Sequence, residues 1–311
     1  MKPKVLQYGR LMPSLERQLA EAFDLQRLAD QADPKAFLAA RGGEFAGLAT
    51  GGFADAALIA ALPSLKVISS FGVGVDKIDL VAAGRRGILV GNTPDVLNDC
   101  VADLAIGMVI DVSRGMGASQ RHLRRGDWPK ANYPLQRRVS GKRMGIVGLG
   151  RIGKAIAHRA EAFDMELRYH NRRPVTDTTM AYEASLTELA RWADFLVVIV
   201  PGGAATQHLI NAAVLDALGP EGFLVNVARG SVVDEPALMR ALQEKRIAGA
   251  ALDVFENEPN VPAELMQLDN AVLLPHVGSA THETRAAMAQ RVFDNLSEFF
   301  ARGRLLSAIA A

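Results

Sequence analysis

The stretch Met144-Gly145-Ile146-Val147-Gly148-Leu149-Gly150-Arg151-Ile152-Gly153 decides how this chain is read. A G-x-G-x-x-G alone is a weak signal, because a chain with 28 glycines in 311 residues meets it by chance at an appreciable rate. Context carries it here. The β-type run Met144 to Val147 leads directly into the glycines, and an amphipathic helix pattern, Lys154 to Phe163, follows at once. In that setting each glycine has a physical task. The first allows a tight turn, the second lets backbone approach a pyrophosphate, and the third lets helix and strand pack closely. The helix N-terminus then faces the phosphates. Gly148, Leu149, Gly150, Arg151, Ile152 and Gly153 are thus read as a dinucleotide-binding turn.

Beyond the turn comes the position that separates NAD from NADP. At the end of the second strand, about 20 residues on, an Asp or Glu would bond the ribose hydroxyls. This chain has Tyr169-His170-Asn171-Arg172-Arg173-Pro174 there, with no carboxylate. Asp164 is no substitute, since it precedes the strand Met165 to His170, and about six residues at roughly 3.3 Å each separate it from the far end. Two guanidiniums beside a missing acid suit a 2′-phosphate, which Arg holds bidentately. NADP(H) is the expected cofactor, with NAD(H) also accepted, and Asn171, Arg172 and Arg173 are expected contacts.

On either side of the turn, β-type and helix-type runs alternate. Before it come Val5 to Tyr8, Ser14 to Phe23, Phe45 to Ala49, Asp55 to Leu62, Lys66 to Ser70, Leu80 to Arg86 and Ile88 to Val90. A helical stretch from about Val101 to His122 reads as a connection between two domains, and the polar segment Arg124 to Lys142 as irregular. After the turn come a helix Leu186 to Trp192, a strand Phe195 to Val200, further pairs to Leu274 and a last helix, about Thr284 to Phe300. This rhythm predicts an α/β chain of two doubly wound, Rossmann-like and flavodoxin-like parallel-sheet domains. The second is inserted into the first if the last helix returns to the N-terminal unit.

Bulk properties narrow the function classes. With 35 basic and 34 acidic side chains the formal charge is +1, which points to neither nucleic acid nor an anionic membrane. The longest strongly apolar run, Phe195 to Val200, is far short of the roughly 20 residues that span a bilayer. The start, Met1 to Gly9, turns at once into a strand pattern without an apolar signal region, so a cytoplasmic protein is expected. The single cysteine, Cys100, in an apolar context, reads as a small packed side chain, and the six histidines show no zinc-type spacing. No metal is expected.

Three strand-type runs in the second half end in charged or titratable residues. Leu224 to Ala228 delivers Arg229, Ala250 to Leu252 delivers Asp253 with Glu258 just past it, and Ala271 to Pro275 delivers His276. Ligands of open α/β sheets bind beyond the carboxyl ends of strands. Reduction of a 2-oxo acid needs a cation for the carboxylate and carbonyl oxygen, a proton donor for the developing alkoxide, and a group that keeps the donor charged. Arg229, His276 and Glu258 fit those roles in that order. Because a neighbouring carboxylate favours imidazolium, reduction is expected to fade as pH rises, and to do so at lower pH in Glu258→Gln.

Several long motifs in order carry a resemblance: Gly72-Val73-Gly74-Val75-Asp76-Lys77-Ile78-Asp79, the glycine turn, Asn226 to Glu235, Asp253 to Pro259, and Pro275-His276-Val277-Gly278-Ser279-Ala280-Thr281. Over nearly its whole length the chain resembles the D-isomer-specific 2-hydroxyacid dehydrogenases. Its Asp253 to Pro262 wording and Asn171-Arg172-Arg173 loop are most similar to the glyoxylate and hydroxypyruvate reductases, including the related hydroxyphenylpyruvate reductases. The resemblance implies that Arg229, Glu258 and His276 are catalytic and that backbone amides of Val73 and Gly74 hold the substrate carboxylate. It implies cofactor contacts at Pro201, Thr206, Val227, Asp253 and Gly278, although Val200-Pro201-Gly202-Gly203-Ala204-Ala205-Thr206 departs from the family's usual Leu-Thr, acidic, Thr wording. It also implies a substrate (catalytic) domain, residues 1–99 and 285–311, and a dinucleotide-binding domain, 100–284, closing over the substrate. Trp128 lies where relatives use an aromatic from a partner subunit, so a homodimer is implied. The expected activity is reduction of a small 2-oxo acid, glyoxylate or hydroxypyruvate. The rivals are a bulkier substrate such as hydroxyphenylpyruvate, a phosphorylated acid, or a dinucleotide-sensing co-repressor-like interaction protein.

Overall fold

The computed structural model describes residues 2–309. They form two compact units, one running to Leu97 and resuming at Thr281, the other Asn98–Ala280.

The first unit holds strands β1 (Lys4–Tyr8), β2 (Asp24–Arg27), β3 (Gly47–Thr50), β4 (Val67–Ser70) and β5 (Leu89–Gly91) in one parallel sheet of order β2-β1-β3-β4-β5. This is the flavodoxin-like order, whose reversal lies between the first and third strands. Every residue of β3 and β4 is buried, as expected of parallel strands covered on both faces. One cover is the last helix, His282–Arg302, whose Ala289, Val292 and Leu296 pack with Val5, Leu15, Leu19, Ala49 and Val67. Burying a side chain such as Leu296 contributes about 1.5–3 kcal/mol, which is why this terminal helix belongs to the first sheet. It starts two residues before the sequence pattern does, because Thr281 caps it by accepting from Thr284 N.

The second unit holds β6 (Arg143–Val147), β7 (Glu166–His170), β8 (Ala181–Tyr182), β9 (Phe195–Val198), β10 (Phe223–Asn226), β11 (Gly249–Leu252) and β12 (Ala271–Leu273). The order β12-β11-β10-β9-β6-β7-β8, all parallel, is the Rossmann arrangement with one strand added at an end. Strand order reverses between β6 and β9, so the crevice at a switch point opens beside the glycine turn.

The helix expected over Val101 to His122 is two helices, Asn98–Arg114 and Met116–Arg124, broken at Gly115, whose φ of 57° is left-handed. Rather than linking domains, the longer one lies wholly within the second unit. There Arg159 of the helix Arg151–Glu161 ties to its Asp99 and Asp103. Among the described residues no helix is long and apolar enough to cross a membrane, and no group of three or more His, Cys, Asp or Glu could hold a metal ion.

Candidate active site

The glycine turn leaves β6 where the sequence places it, and the helix begins at Arg151 with Gly150 as its cap residue and no capping side chain. Gly148 has φ 107°, and a Cβ there would press on the Ile199 carbonyl; a Cβ at Gly153 would collide with the Gly148 carbonyl. These two positions accept only glycine. Gly150 differs, since a Cβ there would meet nothing within 4 Å. Open space over an exposed backbone at an uncapped helix N-terminus fits a dinucleotide pyrophosphate.

Asn171 stands where the ribose-binding acid would be, and its side chain has a defined task. Its Oδ1 accepts from Leu149 N at 2.7 Å, while its carbonyl accepts from the Tyr182 hydroxyl at 3.1 Å. The Asn171 loop and the glycine turn are therefore one braced piece. Next to it, Arg172 and Arg173 are exposed and make no hydrogen bond or ion pair among the described residues. Two adjacent guanidiniums with no carboxylate on a rigid support form a ready anion site. Thr206 uses its hydroxyl inside its own turn, donating to Pro201 O at 2.7 Å and Gly203 O at 3.2 Å. Val227 is buried and donates its backbone N–H to Val198 O at 3.2 Å.

The three residues singled out for chemistry follow β10, β11 and β12, which are neighbours in the sheet. Arg229 lies just past β10 in extended backbone, its carbonyl held by Asn226 Nδ2 at 3.0 Å and its guanidinium donating to Ala228 O at 2.8 Å. Gly230 behind it packs backbone to backbone on the loop after β11, and a Cβ there would collide with the Phe255 carbonyl. That contact sets the Arg229 turn against the loop that carries Glu258. Glu258 Oε1 accepts from Phe255 N at 3.1 Å, and Oε2 lies 2.8 Å from His276 Nδ1. The imidazole is half-exposed, the carboxylate less so.

His276 has φ 54°, a left-handed conformation uncommon outside glycine. Asp253 holds it there. The Asp253 carbonyl accepts from His276 N at 2.8 Å, and its carboxylate accepts from Val277 N at 2.7 Å and Gly278 N at 2.8 Å. Asp253 is only 2% exposed. Burial pushes its carboxyl above the usual range, against the pull of those two amides and of the nearby imidazole. Motif reading gave Asp253 a cofactor contact and did not see this brace. The signal available was a carboxylate at the end of a buried strand, which needs backbone donors or a cation. Asn226 and Gly230 were likewise quoted only as parts of a motif.

In the first unit, Val73 and Gly74 lie on the loop after β4, both partly buried. The carbonyl of Val73 accepts from Asn92 Nδ2 at 2.9 Å.

The family described as "D-isomer specific 2-hydroxyacid dehydrogenase, NAD binding domain" matches residues 106–278. The chain is 48% identical to a hydroxyphenylpyruvate reductase of Plectranthus scutellarioides across 95% of both proteins. It is 44% identical to a 2-ketogluconate reductase of Gluconobacter oxydans across 99% of both. Among solved structures, an NADPH-dependent glyoxylate/hydroxypyruvate reductase of Sinorhizobium meliloti, in complex with NADP and malonate, is similar with a TM-score of 0.94. The identity is 45%, over 100% of this chain and 97% of that one.

Proposed function

The chain belongs to the D-isomer-specific 2-hydroxyacid dehydrogenases, NAD(P)-dependent oxidoreductases, and from that premise we propose that it reduces glyoxylate or hydroxypyruvate with NADPH, and less well with NADH. The observation that carries the reading is the His276 to Glu258 contact of 2.8 Å, on a rim shared with Arg229.

When bound, the reduced nicotinamide supplies the hydride. Arg229 supplies the cation that polarises the substrate carbonyl, and the amides of Val73 and Gly74 are read as donors to a substrate carboxylate. With Nδ1 held by Glu258, His276 presents Nε2 and gives its proton to the carbonyl oxygen as negative charge develops there. Glu258, through its contact with Nδ1, fixes the orientation in which the ring is presented. The balance is one 2-oxo acid, one hydride and one proton giving one 2-hydroxy acid.

The unpaired Arg172 and Arg173 support NADPH as the preferred cofactor, as does the NADP bound by the Sinorhizobium meliloti reductase. A homodimer fits the exposed apolar side chains Met116, Leu123, Trp128 and Leu135, which come from one stretch and suit cover by a second copy.

A panel of 2-oxo acids with NADPH and NADH tests the proposal. The highest kcat/KM is expected for NADPH with glyoxylate or hydroxypyruvate. Arg172→Ala with Arg173→Ala should raise the NADPH KM about ten- to a hundredfold and leave the NADH KM in place. A higher kcat/KM for hydroxyphenylpyruvate or 2-ketogluconate would move the assignment to those relatives' substrates. Tight dinucleotide binding without turnover on any acid would make the chain a dinucleotide-sensing protein.

A further inference from the structure

A trans peptide holds its C=O and the following N–H on opposite sides of one rigid plane. In the loop after β4, the Gly72 carbonyl therefore shares a plane with the Val73 amide, and the Val73 carbonyl with the Gly74 amide. Both carbonyls are held by consecutive residues just past β5. Thr93 N donates to Gly72 O at 3.0 Å, and Asn92 Nδ2 donates to Val73 O at 2.9 Å. Fixing those two planes fixes the directions of the Val73 and Gly74 amides.

We propose that Asn92 and Thr93 are positioning residues for the substrate carboxylate, aiming the Val73 and Gly74 amides by gripping the carbonyls behind them. This rests on the reading that those amides bind the carboxylate.

Asn92 can grip because it is itself gripped. Its carbonyl accepts from Ser307 Oγ at 2.6 Å and from Asn295 Nδ2 at 3.2 Å, and its N–H donates to Ser307 O at 3.3 Å. Asn295 is fully buried in the last helix, and its Oδ1 accepts from Leu306 N and Ser307 N, each at 3.1 Å. Further along, Ile309 N donates to Val90 O at 2.8 Å, so the segment after the last helix is bonded along β5. A residue more than 200 positions from the loop thereby helps set its geometry. The amide side chain of Asn92 is specific. Aspartate has the same shape but no donor, and it would set a charge against the Val73 carbonyl and near the substrate carboxylate.

The test is kcat and KM for the best 2-oxo acid at saturating NADPH in wild type, Asn92→Ala, Asn92→Asp and Gly74→Pro, with the dinucleotide Kd and Tm measured alongside. Loss of Asn92's grip should raise KM about tenfold in Asn92→Ala and further in Asn92→Asp, with the dinucleotide Kd unchanged. Ser307→Ala, one bond further back, should raise KM about two- to threefold, and it serves as the readout if the Asn92 variants fail to fold. If KM stays at the wild-type value in the Asn92 variants (or in Ser307→Ala, where those do not fold) while Gly74→Pro raises it, the positioning role is wrong and the loop reading stands. If Gly74→Pro folds and also leaves KM unchanged, the loop reading itself fails. A lower Tm with parallel losses in kcat and dinucleotide affinity would assign Asn92 to the scaffold alone and overturn the proposal.

Discussion

Two histidine–glutamate pairs share the loop after β11. His276 Nδ1 lies 2.8 Å from Glu258 Oε2, and His208 Nε2 lies 3.0 Å from Glu256 Oε1. Both histidines have left-handed backbone, φ 54° and 49°, and both are partly exposed, 47% and 40%. Residue types, distance and exposure do not separate them. Two other things do. The first is which nitrogen is used: His276 engages its glutamate through the inner nitrogen, Nδ1, so that contact does not use the ring tip, whereas His208 meets Glu256 through its tip, Nε2. The second is what holds the pair. The His276 turn is clamped by three backbone N–H bonds to Asp253, and Glu258 is fixed by Phe255 N. His208 N donates to Ser231 O, and Glu256 is held through its own N–H to Glu235 Oε2 at 3.3 Å. On the proposed function, the pair with the presented tip and the clamped turn, His276 with Glu258, is the proton donor.

The sharpest way to break that distinction is to remove each ring in turn. His276→Ala should lower kcat by about 10²–10⁴-fold, the usual worth of a positioned acid, with the dinucleotide Kd unchanged. Steady-state kinetics with single-turnover controls checks this. A drop of less than tenfold would mean that the proton comes from elsewhere.

A second, smaller effect tests the clamp. Asp253→Asn keeps one carbonyl oxygen for two donors, Val277 N and Gly278 N, and turns an NH2 toward the other. Leaving one buried donor unmet costs about 1–3 kcal/mol of stability, and loosening the His276 turn should cut kcat by about tenfold. pH supplies an independent check. Because burial raises the Asp253 carboxyl in the folded protein, the native state there binds a proton more readily than the unfolded chain. Its stabilising contribution is fully present below the unfolded value, about 3.9, and is lost as pH rises through the raised native one. Urea unfolding across that window should show stability falling with pH more steeply in wild type than in Asp253→Asn. Parallel slopes would mean that Asp253 does not titrate abnormally.

The clamp also shows what could be read in advance and what could not. Buried strands such as Phe195–Val198 announce themselves as apolar runs, and the glycine turn is legible because two of its glycines, Gly148 and Gly153, are obligatory. Arg229, Asp253 with Glu258, and His276 could be placed at one rim in advance because they follow strands that are neighbours in the sheet. Strand β2 was missed, since its Asp24-Leu25-Gln26-Arg27 is a polar edge strand with no buried residue, and so was β8, only two residues long. The two-residue shift at the end of Phe195–Val200 and the break at Gly115 lie at element boundaries, where backbone conformation, not side-chain pattern, sets the limit. The roles of Asn171, Asp253 and Asn92 depend on bonds to backbone amides and carbonyls of other loops. Such bonds leave no periodicity in a sequence.

The smallest predicted effect belongs to the other pair. His208 and Glu256 are 40% and 36% exposed, so a double-mutant cycle of His208→Ala with Glu256→Gln should give a coupling of about 0.2–1 kcal/mol in stability, shrinking as salt is added. Because the His208 tip is already bonded, its removal should change kcat by less than about threefold. Since Pro201 to Thr206 leads directly into His208, the modest change expected is in dinucleotide KM, about twofold, as the Glu256 tie to that loop is lost. If His208→Ala instead lowered kcat on the scale of His276→Ala, the presented ring tip would not be what marks the acid. The two pairs would then have to be treated as one proton-transfer unit built on the Phe255–Pro259 loop.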